Sequence, residues 1–128
     1  MSPLDHGGQG ADTMNGGNGN DTFLDGSVSN GGDTFTGGIG TDVVSYASRT
    51  NSVVATLGTA SGNGELGEND NIGVDIENLV GGSGADTLTG DANPNNITGG
   101  AGADTISGGS GAVEDTLLGG DGTDILKG

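Results

Sequence analysis

A chain of 128 residues allows one domain, and this one carries 18 acidic against 2 basic side chains, a net charge of −16. With only Arg49 and Lys127 available to neutralise phosphates, nucleic acid and anionic membranes are excluded as partners, and no apolar run nears the ~18 residues of a membrane-inserting span. Hydrophobic residues make up 29% of the chain and 31 residues are glycine, so an ordinary core is out of reach and a partner must supply both positive charge and free energy.

The first element is Gly7-Gly8-Gln9-Gly10-Ala11-Asp12, followed by Met14 between Thr13 and Asn15. Gly16-Gly17-Asn18-Gly19-Asn20-Asp21 with Phe23 repeats it nine residues on. The next step, to Asp33 and Phe35, is three residues too long, which makes Ser27-Val28-Ser29-Asn30 a bulge in a turn. Gly37 to Asp42, with Val44, restores the beat. Residues 46–76 break it. Tyr46 is read as a packing residue, and Val53, Ala55 and Leu57 alternate inward along one longer strand. Thr59 to Asp75, rich in Gly, Asn and Glu, reads as a surface loop. Its Glu65, Glu68 and Asp70 serve solubility, with an extra ion site as the alternative. Ile76-Glu77-Asn78-Leu79 returns to strand. Then come Gly81 to Asp86 with Leu88, the imperfect Gly90-Asp91-Ala92-Asn93-Pro94-Asn95 with Ile97, and Gly99 to Asp104 with Ile106. A turn widened by two residues around Ala112-Val113-Glu114 precedes Asp115 and Leu117, and Gly119 to Asp124 with Leu126 closes the series. This describes a single domain over 1–128, with repeats at 7–45 and 72–128 and an insertion at 46–71. Two blocks joined by a linker is the competing organisation.

Three-residue polar-apolar-polar segments favour short strands with one inward side chain, and the Gly-rich hexads between them favour tight turns of positive φ. Two repeats make one coil of about 18 residues, and the inward side chains of successive coils stack as a thin apolar ladder. A glycine-rich turn aims several carbonyls at one point, and the Asp adds a charged oxygen at a fixed offset. Two turns stacked on one edge reach the roughly six to eight oxygens that calcium takes. Turns alternate edges, so partners lie two repeats apart. The pairs are Asp12 with Asp33, Asp21 with Asp42, Glu77 with Asn95, Asp86 with Asp104, Asn95 with Asp115 and Asp104 with Asp124. About six calcium ions would add roughly +12 charge and bring the chain to about −4. Zinc has no ligand set here, with one His and no Cys. Magnesium demands a more rigid octahedron than such turns provide.

Six full hexads in register, over roughly residues 7–45 and 72–128, resemble the RTX (repeats-in-toxin) hemolysin-type calcium-binding family. Val43 to Ala47 and Ile76 to Gly81 also resemble stretches between repeats of bacterial members. The resemblance implies an all-β, right-handed parallel β-roll with calcium in its turns, and a secreted parent protein exported by a type I system. It implies that carbonyls of the first four hexad positions join each Asp. These are Gly7, Gly8 and Gly10 with Asp12, and Gly16, Gly17, Asn18 and Gly19 with Asp21. They continue with Gly81, Gly82, Ser83 and Gly84 beside Asp86, and Gly99, Gly100, Ala101 and Gly102 beside Asp104. Gly119, Gly120 and Gly122 accompany Asp124, and Asp33, Asp42, Glu77, Asn95 and Asp115 complete the set. Asn95 lacks the carboxylate charge, and the turns before Asp33 and Asp115 are widened, so weaker sites are expected there.

Other readings carry less. Disorder does not require an apolar residue in strict register with the Asp. His6 reads as a solvated residue rather than a ligand. Paired carboxylates are everywhere, so their proximity singles out no catalytic pair, and no enzyme is expected. Outward Thr34/Thr36, Thr87/Thr89 and Thr105/Ser107 suggest an alternative adhesin-type role, binding ice or a polysaccharide. The exposed end of a solenoid further suggests end-to-end self-association, or flanking domains that cover it.

Overall fold

Met14, Phe23, Phe35, Val44, Leu79, Leu88, Ile97 and Ile106, eight of the ten apolar members of the beat, are buried in one continuous core, with Leu117 partly buried against it and Leu126 exposed. The computed structural model describes residues 4–6, 8–111 and 113–128, with side chains from residue 8 onward. Gly7, the side chain of His6 and Ala112 of the widened turn lie outside the described residues. Among those described, the regular elements are short strands. On one face β1 (Leu4–His6), β3 (Thr22–Leu24), β5 (Val43–Ser45), β8 (Asn78–Val80), β10 (Asn96–Ala101) and β12 (Thr116–Asp121) stack as one sheet in that order. The other face holds β2 (Thr13–Asn18), β4 (Thr34–Ile39) and β7 (Asn71–Ile72). It continues with β6 (Val54–Thr56), β9 (Thr87–Thr89), β11 (Thr105–Ser107) and β13 (Ile125–Lys127). The named strands pair in parallel, so the fold is an all-β solenoid of the β-roll type.

Register places like over like. Phe23, Val44, Leu79, Ile97 and Leu117 form one column; Met14, Phe35 and Ile72 form another; Ala55, Leu88, Ile106 and Leu126 form a third. Each inward side chain meets its counterpart one coil away, which is how so thin a core excludes water. The third column ends in the open: Leu126 is 47% exposed. Four strands exceed the expected three residues, because the turns pair as well. Gly17 lies opposite Gly38, and Gly100 opposite Gly120.

The insertion corrects the sequence reading. Val53, Ala55 and Leu57 do point inward, but the strand is only Val54–Thr56. The stretch from Thr59 to Asp75 is not a surface loop: Asn63, Glu68, Asp70 and Ile72 are buried within it. The chain leaves β5 and runs ahead to form β6 beside β9. It then doubles back to form β7 beside β4 before entering β8. Asn63 joins the two. Its Oδ1 accepts from Thr56 N–H at 2.8 Å, and its Nδ2 donates to the Asp70 carbonyl at 2.9 Å. One side chain thereby supplies bonds that a backbone ladder would otherwise make.

Candidate metal centre

The carboxylates form columns along the solenoid edges. Asp33, Asp42, Asp104, Asp115 and Asp124 each accept, on one oxygen, the backbone N–H of the counterpart one coil earlier. Asp12 N–H donates to Asp33 Oδ1 at 2.9 Å, Asp21 to Asp42 at 2.8 Å, and Asp86 to Asp104 at 2.9 Å. Asn95 donates to Asp115 and Asp104 to Asp124, both at 3.0 Å, and Asn95 Nδ2 donates to the Glu77 carbonyl at 2.8 Å. The six pairs expected from alternating turns are therefore brought together as stacked neighbours. Two further links span the insertion: Asp33 N–H to Asp70 Oδ1, and Asp42 N–H to Glu77 Oε2, both at 2.8 Å.

The second oxygen of the ladder Asp is the chemically telling one. Among the described residues, Oδ2 of Asp12, Asp21, Asp42 and Asp104, and Oδ1 of Asp25 beside Arg49, are buried with no hydrogen-bond partner. Leaving a buried acceptor unmade costs about 1–3 kcal/mol, more for an ionised one. A Cβ on Gly16 would collide with both the Asp21 carboxylate and the Gly37 carbonyl of the next coil. Gly99 stands in the same relation to Asp104 and the Gly119 carbonyl. The first hexad glycine thus leaves room for a carboxylate oxygen and a neighbouring carbonyl to converge. The glycines that follow turn the chain: Gly17, Gly38, Gly100 and Gly120 have φ of 89°, 101°, 110° and 98°. Convergent, unpartnered, hard oxygens of this kind fit a calcium ion. Burial raises Asp42, Glu77 and Asp86 above the ordinary carboxylate value, with neighbouring carboxylates adding to it.

Not every hexad is built alike. In the turn 81–86, Gly82 N–H donates to Asp86 Oδ2 at 2.7 Å, and neither Gly82 nor Gly84 is left-handed. The reason lies in the insertion. The Arg49 carbonyl accepts from Ser83 N–H at 2.9 Å and would meet a Cβ on Gly82, so on its earlier side this turn stacks on residues 46–52 rather than on a hexad, while on its later side it stacks on the turn 99–104. In the imperfect turn, Asp91 N–H donates to Asn95 Oδ1 at 2.8 Å. Asp115 and Asp124 are half-buried, and Asp33 Oδ2 accepts from Asn30 Nδ2.

Residues absent from the expected set crowd the insertion. Arg49 is completely buried and pairs with Asp25, Glu65 and Glu68. Glu68 and Asp70 do not serve solubility; both are buried. Tyr46 does pack, but its hydroxyl also donates to Asp70 Oδ2 at 2.9 Å. Burial, then the charge of Asp70, pushes Asp25 up to about 9 against the pull of Arg49. Burial likewise lifts Asp70 to about 6. Asp70 carried a legible signal, since Ile72 follows it by two residues as in every repeat. Asp25 and Arg49 lie off the beat and had none.

The outward Thr rows do not form a uniform array. One row runs Val54, Thr87, Thr105, Ile125 and the next Thr56, Thr89, Ser107, Lys127, while Thr34 is flanked by Thr13 and Asn71. No curated protein matches the chain. A family model described as the RTX calcium-binding nonapeptide repeat matches four stretches, residues 6–24, 27–47, 76–112 and 114–128, and skips most of the insertion. Those stretches cover most of the 128 residues and hold every ladder Asp but Asp70, so the chain belongs to the RTX calcium-binding nonapeptide repeat family.

Proposed function

We propose that this chain is a calcium-driven folding module of a secreted bacterial protein, exported unfolded by a type I system and folded by extracellular calcium. The supporting observation is the set of buried, unpartnered Oδ2 atoms on Asp12, Asp21, Asp42 and Asp104. About six ions are assigned to the six stacked pairs, held by these carboxylates and the turn carbonyls of the hexads. The two pairs that use Asn95, with Glu77 and with Asp115, are the weakest, because an amide brings no charge. Calcium would supply charge and coordination here.

Inside a cell, free calcium lies far below the ~10⁻⁴–10⁻³ M range of extracellular modules, and a chain of −16 charge stays open for threading. Outside, an ion that binds only the folded state adds RT ln(1 + [L]/Kd). At tenfold excess over Kd that is about 1.4 kcal/mol per site, or about 8 kcal/mol for six, the stability of a whole domain. Circular dichroism tests this directly. The far-ultraviolet β signal should be mostly lost in excess chelator, return at millimolar calcium, and respond far less to equal magnesium. Full β content in chelator would sink the reading.

A further inference from the structure

Between the turn after β3 and the turn before β7, the stack holds a cation of its own. Arg49 Nε donates to the Gly26 carbonyl at 3.2 Å, and Nη2 donates to the Asp25 carbonyl at 3.3 Å and to Asn30 Oδ1 at 3.2 Å. Nη2 also pairs with the Asp25 carboxylate and, at 2.6 Å, with Glu68 Oε1. Nη1 reaches Glu65 and Glu68 at 3.0 Å each. The acceptors are thus two turn carbonyls, one amide oxygen and three carboxylates drawn from two stacked turns. Asp25 and Gly26 follow strand β3 directly, as Gly16 and Gly17 follow the polar-apolar-polar segment of β2. At this coil interface Asp33 also meets Asp70.

We infer that the Arg49 guanidinium occupies the cation position of this one interface, replacing a calcium ion with a covalently held charge. The reading rests on the assignment of calcium to the other stacked turns. Several details follow from it. Asp25 stands where the other hexads have their first glycine, and its carboxylate pairs with Arg49 there. A planar fork with five donors suits scattered carbonyl and carboxylate oxygens better than a Lys would. The carboxylates of Asp25, Asp33 and Asp70 lie within 4.8 Å of one another, and the guanidinium bonded to Asp25 is the cation beside them. The consequence is functional. The insertion and its two flanking coils form a nucleus that does not wait for calcium, from which ion-dependent coils add in both directions.

Hydrogen exchange on the full chain in excess chelator tests this. The amides of Gly64, Asp70 and Ile72, bonded within the insertion, should exchange at least tenfold more slowly than those of Ala101, Thr105 and Ile125. Arg49→Met should abolish that difference. At saturating calcium, Arg49→Ser should bind one ion more than the native chain, because the oxygens freed of the guanidinium accept it. If Arg49→Met fails to fold at any calcium level, Arg49→Lys decides: it keeps the charge without the fork and should lose most of the protection. Native protection in Arg49→Lys, insertion amides that exchange freely in the native chain, or a metal bound at Asp25 in the native chain would each overturn the inference. Failure of the calcium reading looks different: Ala101, Thr105 and Ile125 would then stay protected in chelator.

Discussion

Asp104 serves two coil interfaces at once. Its Oδ1 accepts from Asp86 N–H, its own N–H donates to Asp124 Oδ1, and its Oδ2 is buried and unpartnered. Asp12 faces a single counterpart, Asp33, among the described residues. Asp104→Ala should therefore lose two calcium ions and raise the calcium midpoint severalfold, while Asp12→Ala should lose one. Equal losses by isothermal titration would mean that the turns do not pair along alternating edges. Asp70 sets a pH response of the calcium-free chain. Its folded value, about 6, lies above the unfolded 3.8 because of burial, so the folded state holds a proton that the unfolded chain releases. That contribution is complete below pH 3.8 and is lost as pH rises through about 6. In chelator, residual β structure should increase as pH falls from 8 to 5, while calcium affinity weakens because its carboxylates must be deprotonated. Residual structure that grew with rising pH would contradict the burial of Asp70.

At the scale of elements, the apolar residue two positions after each Asp fixes which side chain points inward. Ile106 is fully buried between Leu88 and Leu126, whereas Thr105 is half-buried on the outer side. Ile106→Asp places an unpaired charge in the ladder and should cost several kcal/mol, about 3 or more, read as a raised calcium midpoint. Thr105→Asp should shift it far less, and equal shifts would mean the inward register is misassigned. The strands and turns of the repeats were legible because period, turn glycine and inward residue agree at every step. The insertion was legible only in part. Asp70 and Ile72 obey the repeat spacing, yet they lie in a stretch of Gly, Asn and Glu whose composition reads as loop. The doubling back of β6 and β7 depends on Asn63 and on a non-local choice of neighbours, which no periodicity encodes. Arg49 was hidden for a related reason: a lone basic residue in an acidic chain looks solvated until the fold surrounds it with carboxylates. Val53 shows the same limit. Its N–H donates to Asp86 Oδ1 at 2.8 Å, so it stands in an Asp position of the column while filling the core instead.

The central plug interrupts one carboxylate column of the molecule, between Asp70 and Asp86, and leaves the other unbroken through Asp42, Glu77 and Asn95; the later stack, from Asp86 onward, has an exposed end that differs in chemistry from its flanks. The outermost strands of the later stack, β12 and β13, carry Leu118 at 55%, Ile125 at 55% and Leu126 at 47% exposure. Their outer backbone groups have no further strand to pair with among the described residues. Apolar side chains beside open ladder groups template another strand. With charge neutralised by calcium, the self-repulsion that keeps such edges apart also falls. The calcium-loaded chain should therefore associate end to end, with a sedimentation coefficient that rises with concentration over the micromolar range. Leu126→Lys, which puts a charge on the last rung without touching a ladder Asp, should return it to monomer while leaving calcium stoichiometry unchanged. A native chain that stayed monomeric throughout that range at saturating calcium would show that these edges are not adhesive. Association that persisted in Leu126→Lys would place the contact elsewhere on the surface.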